Sequence, residues 1–351
     1  MNILTRDNSL VLRGLAILAI MFHNFLHLEV IGFSKENEMS FSDNVSDLFF
    51  SKIFSEDCNY VAELVSFLGW TGVTVFVFLT GYGLKMNYSN ISNAWEFVKR
   101  NFFKLFWLLL PAILFFFVTD VISGKYSNIP KRLVYLTMLQ NLDYPDFNVT
   151  PGVYWYFSLT FQLYLFYALA RRLLNTWSLM VMSILSLIGL WLLGMLNIPH
   201  AFSIYRHCIT GWFPIFALGV YYSKQNRQIM ADRNSPFLDF AIVAMLLILM
   251  VLMNVNFNFW IFLPIVGLYL YFVLAKLVLR AGSYVSSCIA WIGRYSACIF
   301  VCHPIVRAFI SRLYPRFNYL WAISLLFFLL TLILAFFYEK YYKKMLKCFV
   351  Y

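Results

Sequence analysis

Long apolar runs separated by short polar stretches recur from one end of the chain to the other, and the runs have membrane-crossing length. Ten of them can be placed, at about 10–30, 60–85, 102–121, 152–170, 177–196, 204–222, 237–253, 257–279, 294–313 and 319–338. A helix rises about 1.5 Å per residue, so roughly 20 apolar residues cross the hydrocarbon core. The pattern therefore predicts an all-α polytopic bundle of about ten transmembrane helices. Two shorter amphipathic stretches, about 133–142 and 283–293, are expected to lie along the interfaces.

The polar stretches order the spans. The loop at about 31–59 carries Glu36, Glu38, Asp43, Asp47, Glu56 and Asp57 against only Lys35 and Lys52. Basic residues gather at Lys85 to Lys104, at Arg171 and Arg172, at Lys224, Arg227 and Arg233, at Lys276 and Arg280, and in a tail with Lys340, Lys343, Lys344 and Lys347. Cytoplasmic loops are enriched in Lys and Arg, so both termini are expected in the cytoplasm. Arg307, Arg312 and Arg316 fall on the opposite side. Either the ninth span is placed wrongly, or these arginines serve a substrate or pack against the acids of the first outer loop.

Composition agrees. Hydrophobic residues make up 62% of the 351 residues and charged ones 12%, about half the charged share of a soluble domain. No loop is long enough for a separate soluble domain, so residues 1–351 read as one membrane-embedded unit surrounded by lipid. The net charge of +11 is dispersed among alternate loops, which is a topology signal and excludes a nucleic-acid partner. Six cysteines form no Cys-x-x-Cys pair and no metal-like Cys/His cluster, so no metal is expected. Cys298 and Cys302, one turn apart, read as core, and a Cys58–Cys208 disulfide is left open. Small residues do not follow the first apolar run as a cleavage site would require, so that run reads as a retained helix.

The first span carries the candidate chemistry. It holds Arg13, His23, Asn24 and His27 in LVLRGLAILAIMFHNFLHLEV, more polar groups than an anchor keeps, since ionisable side chains inside a membrane are costly. Arg13 is near enough to the span's start to snorkel to the headgroups. His23 lies ten residues further, about 15 Å along the axis, with His27 one turn beyond on nearly the same face. A neutral imidazole there suits a general base. The alternative is that both histidines only hydrogen-bond neighbouring helices.

Five stretches taken in order resemble the acyltransferase 3 family of integral membrane acyltransferases: LRGLAILAIMFHN, VFVFLTGYGLK, VYWYFSLTFQLYLFY, GWFPIFALGVYYS and WIGRYSACIFVCHPIVR. The resemblance implies transfer of an acyl group, usually acetyl, from cytoplasmic acetyl-CoA or another acyl-CoA to a hydroxyl of a carbohydrate or surface-polymer precursor. It implies a bacterial inner (plasma) membrane as the location. Carried over by position, His23 is the catalytic base or acyl relay and Arg13 its partner. Lys99, Arg100 and Lys104 in KRNFFK are the candidate dock for the donor's phosphates. This stretch departs from the family's Arg-x-x-Arg, with Asn101 in one arginine slot and Lys104 in the other. Asn24, Trp155, Tyr156 and His303 complete the candidate substrate contacts. Arg206 and His207, at an outer helix entry, read either as acceptor contacts or as interfacial residues. Two rival functions remain open on sequence. One is a transporter or flippase for a lipid-linked or small anionic substrate, with Arg13, His23 and His303 lining a conduit. The other is a non-catalytic partner in a polysaccharide assembly.

Overall fold

The computed structural model describes residues 4–28, 31–89, 91–149, 151–223, 235–314 and 319–349. Over these the chain is helical and contains no strand. The helices are α1 (Arg6–Leu26), α2 (Asp43–Ile53), α3 (Tyr60–Leu68), α4 (Gly72–Asn87), α5 (Ala94–Ile122), α6 (Asn128–Thr137), α7 (Tyr144–Phe147), α8 (Trp155–Ala170) and α9 (Thr176–Met195). They continue with α10 (Pro199–His207), α11 (Ile209–Tyr222), α12 (Pro236–Met253), α13 (Phe257–Trp260), α14 (Leu263–Arg280), α15 (Ser283–Arg294), α16 (Ser296–Leu313) and α17 (Leu320–Phe349). The molecule is a polytopic helical membrane bundle.

Eight stretches among the described residues are long and apolar enough to cross a membrane: α1, α3 with α4, α5, α9, α12, α14, α16 and α17. The expected fourth and sixth spans correspond to α8 and α11, of 16 and 14 residues. Each is preceded by a shorter helical piece, a 3-10 turn at Gly152–Tyr154 and α10 respectively. The second span is likewise interrupted by a 3-10 turn at Gly69–Thr71. Helix α5 begins eight residues before the expected 102, because Asn93 caps it by accepting from the backbone N–H groups of Trp95 and Glu96. KRNFFK therefore lies within a helix and not in a turn. The expected interfacial helix at 133–142 is α6, shifted toward the N-terminus and ended at Met138, which takes φ +59°.

Helix α1 is the hub. Thr5 caps it, its hydroxyl accepting from the Asn8 N–H at 3.1 Å, and it packs against α3, α4, α14, α15 and α16. Glycines make the closest crossings. A Cβ on Gly14 would stand 2.1 Å from the Ile289 carbonyl oxygen, and one on Gly293 1.9 Å from that of Leu10, so α15 packs directly on α1. Gly81 and Gly219 hold α4 against α11 in the same way, at 2.3 Å from the Phe216 oxygen and 2.1 Å from the Phe78 oxygen. Small residues that let backbones approach are what membrane interfaces favour.

Two buried carboxylates are paired with cations. Arg132 Nε donates to Asp120 at 2.8 Å across α5 and α6. Asp239 of α12 takes Lys276 at 3.0 Å and also Arg280, both from α14. Those two cations, expected as inner-face markers, are thus bound in a structural clamp. Arg307 packs against the end of α1 and not against the first loop's acids; Arg316 lies outside the described residues, as do Lys224, Arg227 and Arg233. All six cysteines are free, which removes the Cys58–Cys208 disulfide. Cys298 and Cys302 are core residues as expected.

Candidate active site

The 3-10 turn at Gly69–Thr71 brings its backbone onto α1 beside His23; a Cβ on Gly69 would meet the His23 Cβ at 2.8 Å. His23 is 2% exposed. Its Nδ1 lies 2.8 Å from the Ser66 carbonyl oxygen at the end of α3. A carbonyl only accepts, so Nδ1 carries the proton and Nε2 keeps its lone pair. His27, the residue that ends α1, stacks edge-on with its ring centre 4.2 Å from that of His23. Its Nε2 is 2.9 Å from the Glu36 carboxylate and 3.1 Å from the Ser34 carbonyl oxygen. Burial opposes ionisation of Glu36, but hydrogen bonding from His27 and the nearby imidazoles outweigh it and hold that carboxyl below its ordinary range. The donor atoms of His23, His27 and Glu36 lie within 4.8 Å of one another, close enough for one divalent cation. Ser66 and Glu36 already hold the two imidazoles.

His23 opens onto a narrow chamber whose walls include Asn24, Glu38, Trp155, Tyr156 and Phe300. The chamber has a volume of about 20 Å³, room for about one water molecule. Asn24 turns its amide back, donating from Nδ2 to the Ile20 carbonyl at 2.9 Å. Its own carbonyl accepts from Arg307 Nη1 at 2.8 Å. That places a cation at the C-terminal end of α1, where free carbonyls and the helix dipole favour one.

Glu38 is the residue that reading the sequence missed. It was visible only as one acid among six in a loop; the fold carries it into the chamber. Arg206 fixes it there, donating from Nε to the Glu38 carbonyl at 3.0 Å. Arg206 itself is 1% exposed, its guanidinium 4.7 Å from the ring centre of Trp212, 5.0 Å from Trp260 and 5.6 Å from Trp70. Burial, reinforced by the Glu36 charge and partly offset by Arg206, pushes the Glu38 carboxyl up to about 8.

On the side nearer the start of α1 lies a cavity of about 410 Å³. Arg13, Lys104 and Asn101 line it, together with Thr80, Tyr164 and Tyr342. Arg13 thus faces this cavity and keeps exposed surface there. Tyr156 and Phe300 belong to the walls of both this cavity and the His23 chamber. The fold therefore brings Arg13, Lys104, Tyr156, His23, Asn24 and Trp155 into one connected region.

Three candidates fall elsewhere. Lys99 and Arg100 are exposed on the outer side of α5 and are not in the cavity wall, so of KRNFFK only Lys104 and Asn101 reach it. His303 is fully buried in α16, its Nδ1 3.2 Å from the Ile299 carbonyl oxygen, and lines neither cavity nor chamber.

The model of an acyltransferase domain, that of the acyltransferase 3 family, matches residues 10–340, nearly the whole chain. The chain belongs to the acyltransferase 3 family. No curated protein and no solved structure matches it. As a member of this family it is an integral membrane acyltransferase, and the matched span takes in α1 from Leu10, so it includes both Arg13 and His23. In this acyltransferase one glycine from each of four resembling stretches, Gly14, Gly81, Gly219 and Gly293, marks a close crossing of the bundle.

Proposed function

We propose that this acyltransferase moves an acyl group, acetyl above all, from acyl-CoA in the cation-lined cavity to a hydroxyl of an exported or cell-surface carbohydrate at His23. The reading rests above all on the shared wall: Tyr156 and Phe300 lie between a cavity carrying Arg13 and Lys104 and a chamber carrying a histidine that holds its proton on Nδ1 and keeps Nε2 as the basic nitrogen. Arg13 and Lys104 suit the donor's phosphates. The acceptor hydroxyl gives its proton to His23 Nε2 as its oxygen attacks the thioester carbonyl. The carbon–sulfur bond then breaks, and the released thiolate takes up a proton to leave free coenzyme A. Glu38 in its neutral form, on the chamber wall, is the donor proposed for the developing oxyanion.

The test is mass analysis of surface glycan from a strain lacking the protein, complemented with wild type or with His23→Ala. Loss of an acyl substituent that wild type restores and His23→Ala does not, at equal membrane levels, is the expected result; removing a general base costs about 10²–10⁴ in rate. A glycan that keeps every acyl group but fails to reach the surface would point to transport instead.

A further inference from the structure

His23 and His27 stand at i and i+4 where α1 ends, the spacing with which one helix face presents two imidazoles to a single cation. The fold adds a carboxylate that the spacing does not show: Glu36, from the loop after α1, meets His27 Nε2 at 2.9 Å. Two histidines and a glutamate are one of the ligand sets that hold zinc with a position left open. A ring nitrogen of each histidine and a Glu36 oxygen lie within 4.8 Å of one another. His27 Nε2 faces a second oxygen as well, the Ser34 carbonyl at 3.1 Å, so its one proton serves two acceptors. His23 gives its Nδ1–H to the Ser66 carbonyl at 2.8 Å, and a backbone carbonyl on the other ring nitrogen is how ligating histidines are oriented. The side chains of His27 and Glu36 keep 14% and 21% of their surface exposed, so an ion can reach them from solvent.

We infer that His23, His27 and Glu36 form a divalent-cation site, for Zn²⁺ above all, at the C-terminal end of α1. The ion takes the place on His27 Nε2 that the shared proton holds, with Glu36 and a ring nitrogen of His23 as the other ligands. Neutral imidazole and ionised carboxylate are the ligating forms, so affinity falls as acid protonates them. Imidazole with carboxylate selects zinc and its transition-metal neighbours over Mg²⁺ and Ca²⁺, which prefer oxygen ligands alone. The absence of metal expected from the cysteine pattern does not bear on this cluster, which contains no cysteine. A cation on the His23 ring occupies the group proposed as base, so metal loading arrests transfer. That consequence rests on the acyl-transfer reading; the site itself does not.

The experiment titrates Zn²⁺ into the full chain in phospholipid nanodiscs and reads affinity by competition with a chromophoric chelator. One tight Zn²⁺ per chain is expected, held at least about tenfold more weakly in His27→Gln and in Glu36→Gln. His200→Gln is the control: His200 lies with Asp143 and Asp146 in an exposed cluster, and its variant is expected to keep wild-type affinity. X-ray absorption at the zinc edge reads the ligands of the wild-type protein itself, whatever the folding of the variants. It should show two imidazoles in a shell of nitrogen and oxygen without sulfur. No stoichiometric binding, equal affinity in wild type and both ligand variants, a loss in His200→Gln in their place, a sulfur ligand, or fewer than two imidazoles overturns the site. Coenzyme A release from acetyl-CoA is followed in the same samples, and is expected to fall about 10²-fold or more on zinc loading and to return with EDTA. Zinc bound as expected by a protein that releases no coenzyme A in any state would sink the transfer reading and leave the site standing. Release unchanged at full loading, with two imidazoles at the zinc edge, would remove His23 as the base and likewise leave the site standing.

Discussion

Glu38 and Glu36 stand two residues apart in one acidic loop, yet the fold gives them opposite electrostatics. Glu36 is held ionised by His27, whereas burial beside that charge keeps Glu38 protonated up to about 8. An unfolded chain returns Glu38 to an ordinary 4.5. Between those two values the native state holds a proton that the unfolded state has lost. The contribution of Glu38 to stability is therefore complete below 4.5 and is lost as the pH rises through about 8. Glu38→Gln, neutral at every pH, should remove this slope. Thermal unfolding of both proteins in detergent, followed from about pH 5 to about pH 9, is expected to show a steeper alkaline fall for wild type; parallel curves would refute the assignment. Nothing in the sequence marked Glu38, because a loop acid carries no periodicity and its place beside His23 depends on Arg206, distant in sequence, reaching its backbone. His23 and Arg13 were legible for the opposite reason: a polar group in an apolar run is costly and stands out.

At the level of elements, apolarity made the spans readable, and the same apolarity hid their breaks. The second span was expected to run unbroken from 60 to 85, and nothing in LGWTG interrupts its hydrophobic character, yet the 3-10 turn at Gly69–Thr71 positions the backbone at His23. The start of α5 could have been read from Asn93 and Glu96, a capping residue and an acid in the first turn; that reading would have put Lys99 and Arg100 on the outer face. Helix α15, expected at an interface, also packs on α1 through paired glycines. The glycines separate by role on a single helix. Gly81 of α4 has the Phe216 carbonyl oxygen 2.3 Å from where a Cβ would stand, and Gly83 has nothing within 4 Å. Gly81→Ala should cost about 3 kcal/mol or more, because backbone cannot yield to the added carbon. Gly83→Ala should gain up to about 1 kcal/mol from helix propensity. Unfolding midpoints and monodisperse yield after extraction check the pair, and equal effects of the two substitutions would show that the α4–α11 crossing is not the tight one.

Across the whole molecule, three spaces follow one another along the bundle: the cavity of Arg13 and Lys104, the His23 chamber, and a cavity lined by Phe41, Tyr144, Phe202, His207 and Phe257. Their volumes, about 410, 20 and 640 Å³, bear on the transfer proposed above. The middle space admits about one water molecule and has no room for a thioester and a sugar hydroxyl together. The proposed transfer therefore requires its walls to move, and among the described residues those common to the chamber and the cavity of Arg13 and Lys104 are Tyr156 and Phe300. A closed wall also protects an activated thioester from water, which competes directly with the acceptor hydroxyl. Tyr156→Ala should open the wall permanently. Acetyl-CoA hydrolysis without acceptor is then expected to rise several-fold while transfer to acceptor falls, and Tyr156→Phe, which keeps the ring, should hold hydrolysis near the wild-type level. The ratio of hydrolysis to transfer reads this directly in one assay of released coenzyme A and acylated product. If that ratio stays the same in Tyr156→Ala, the barrier between donor and base lies elsewhere, and Phe300, which packs edge-on against Tyr156 at 5.5 Å, becomes the residue to open.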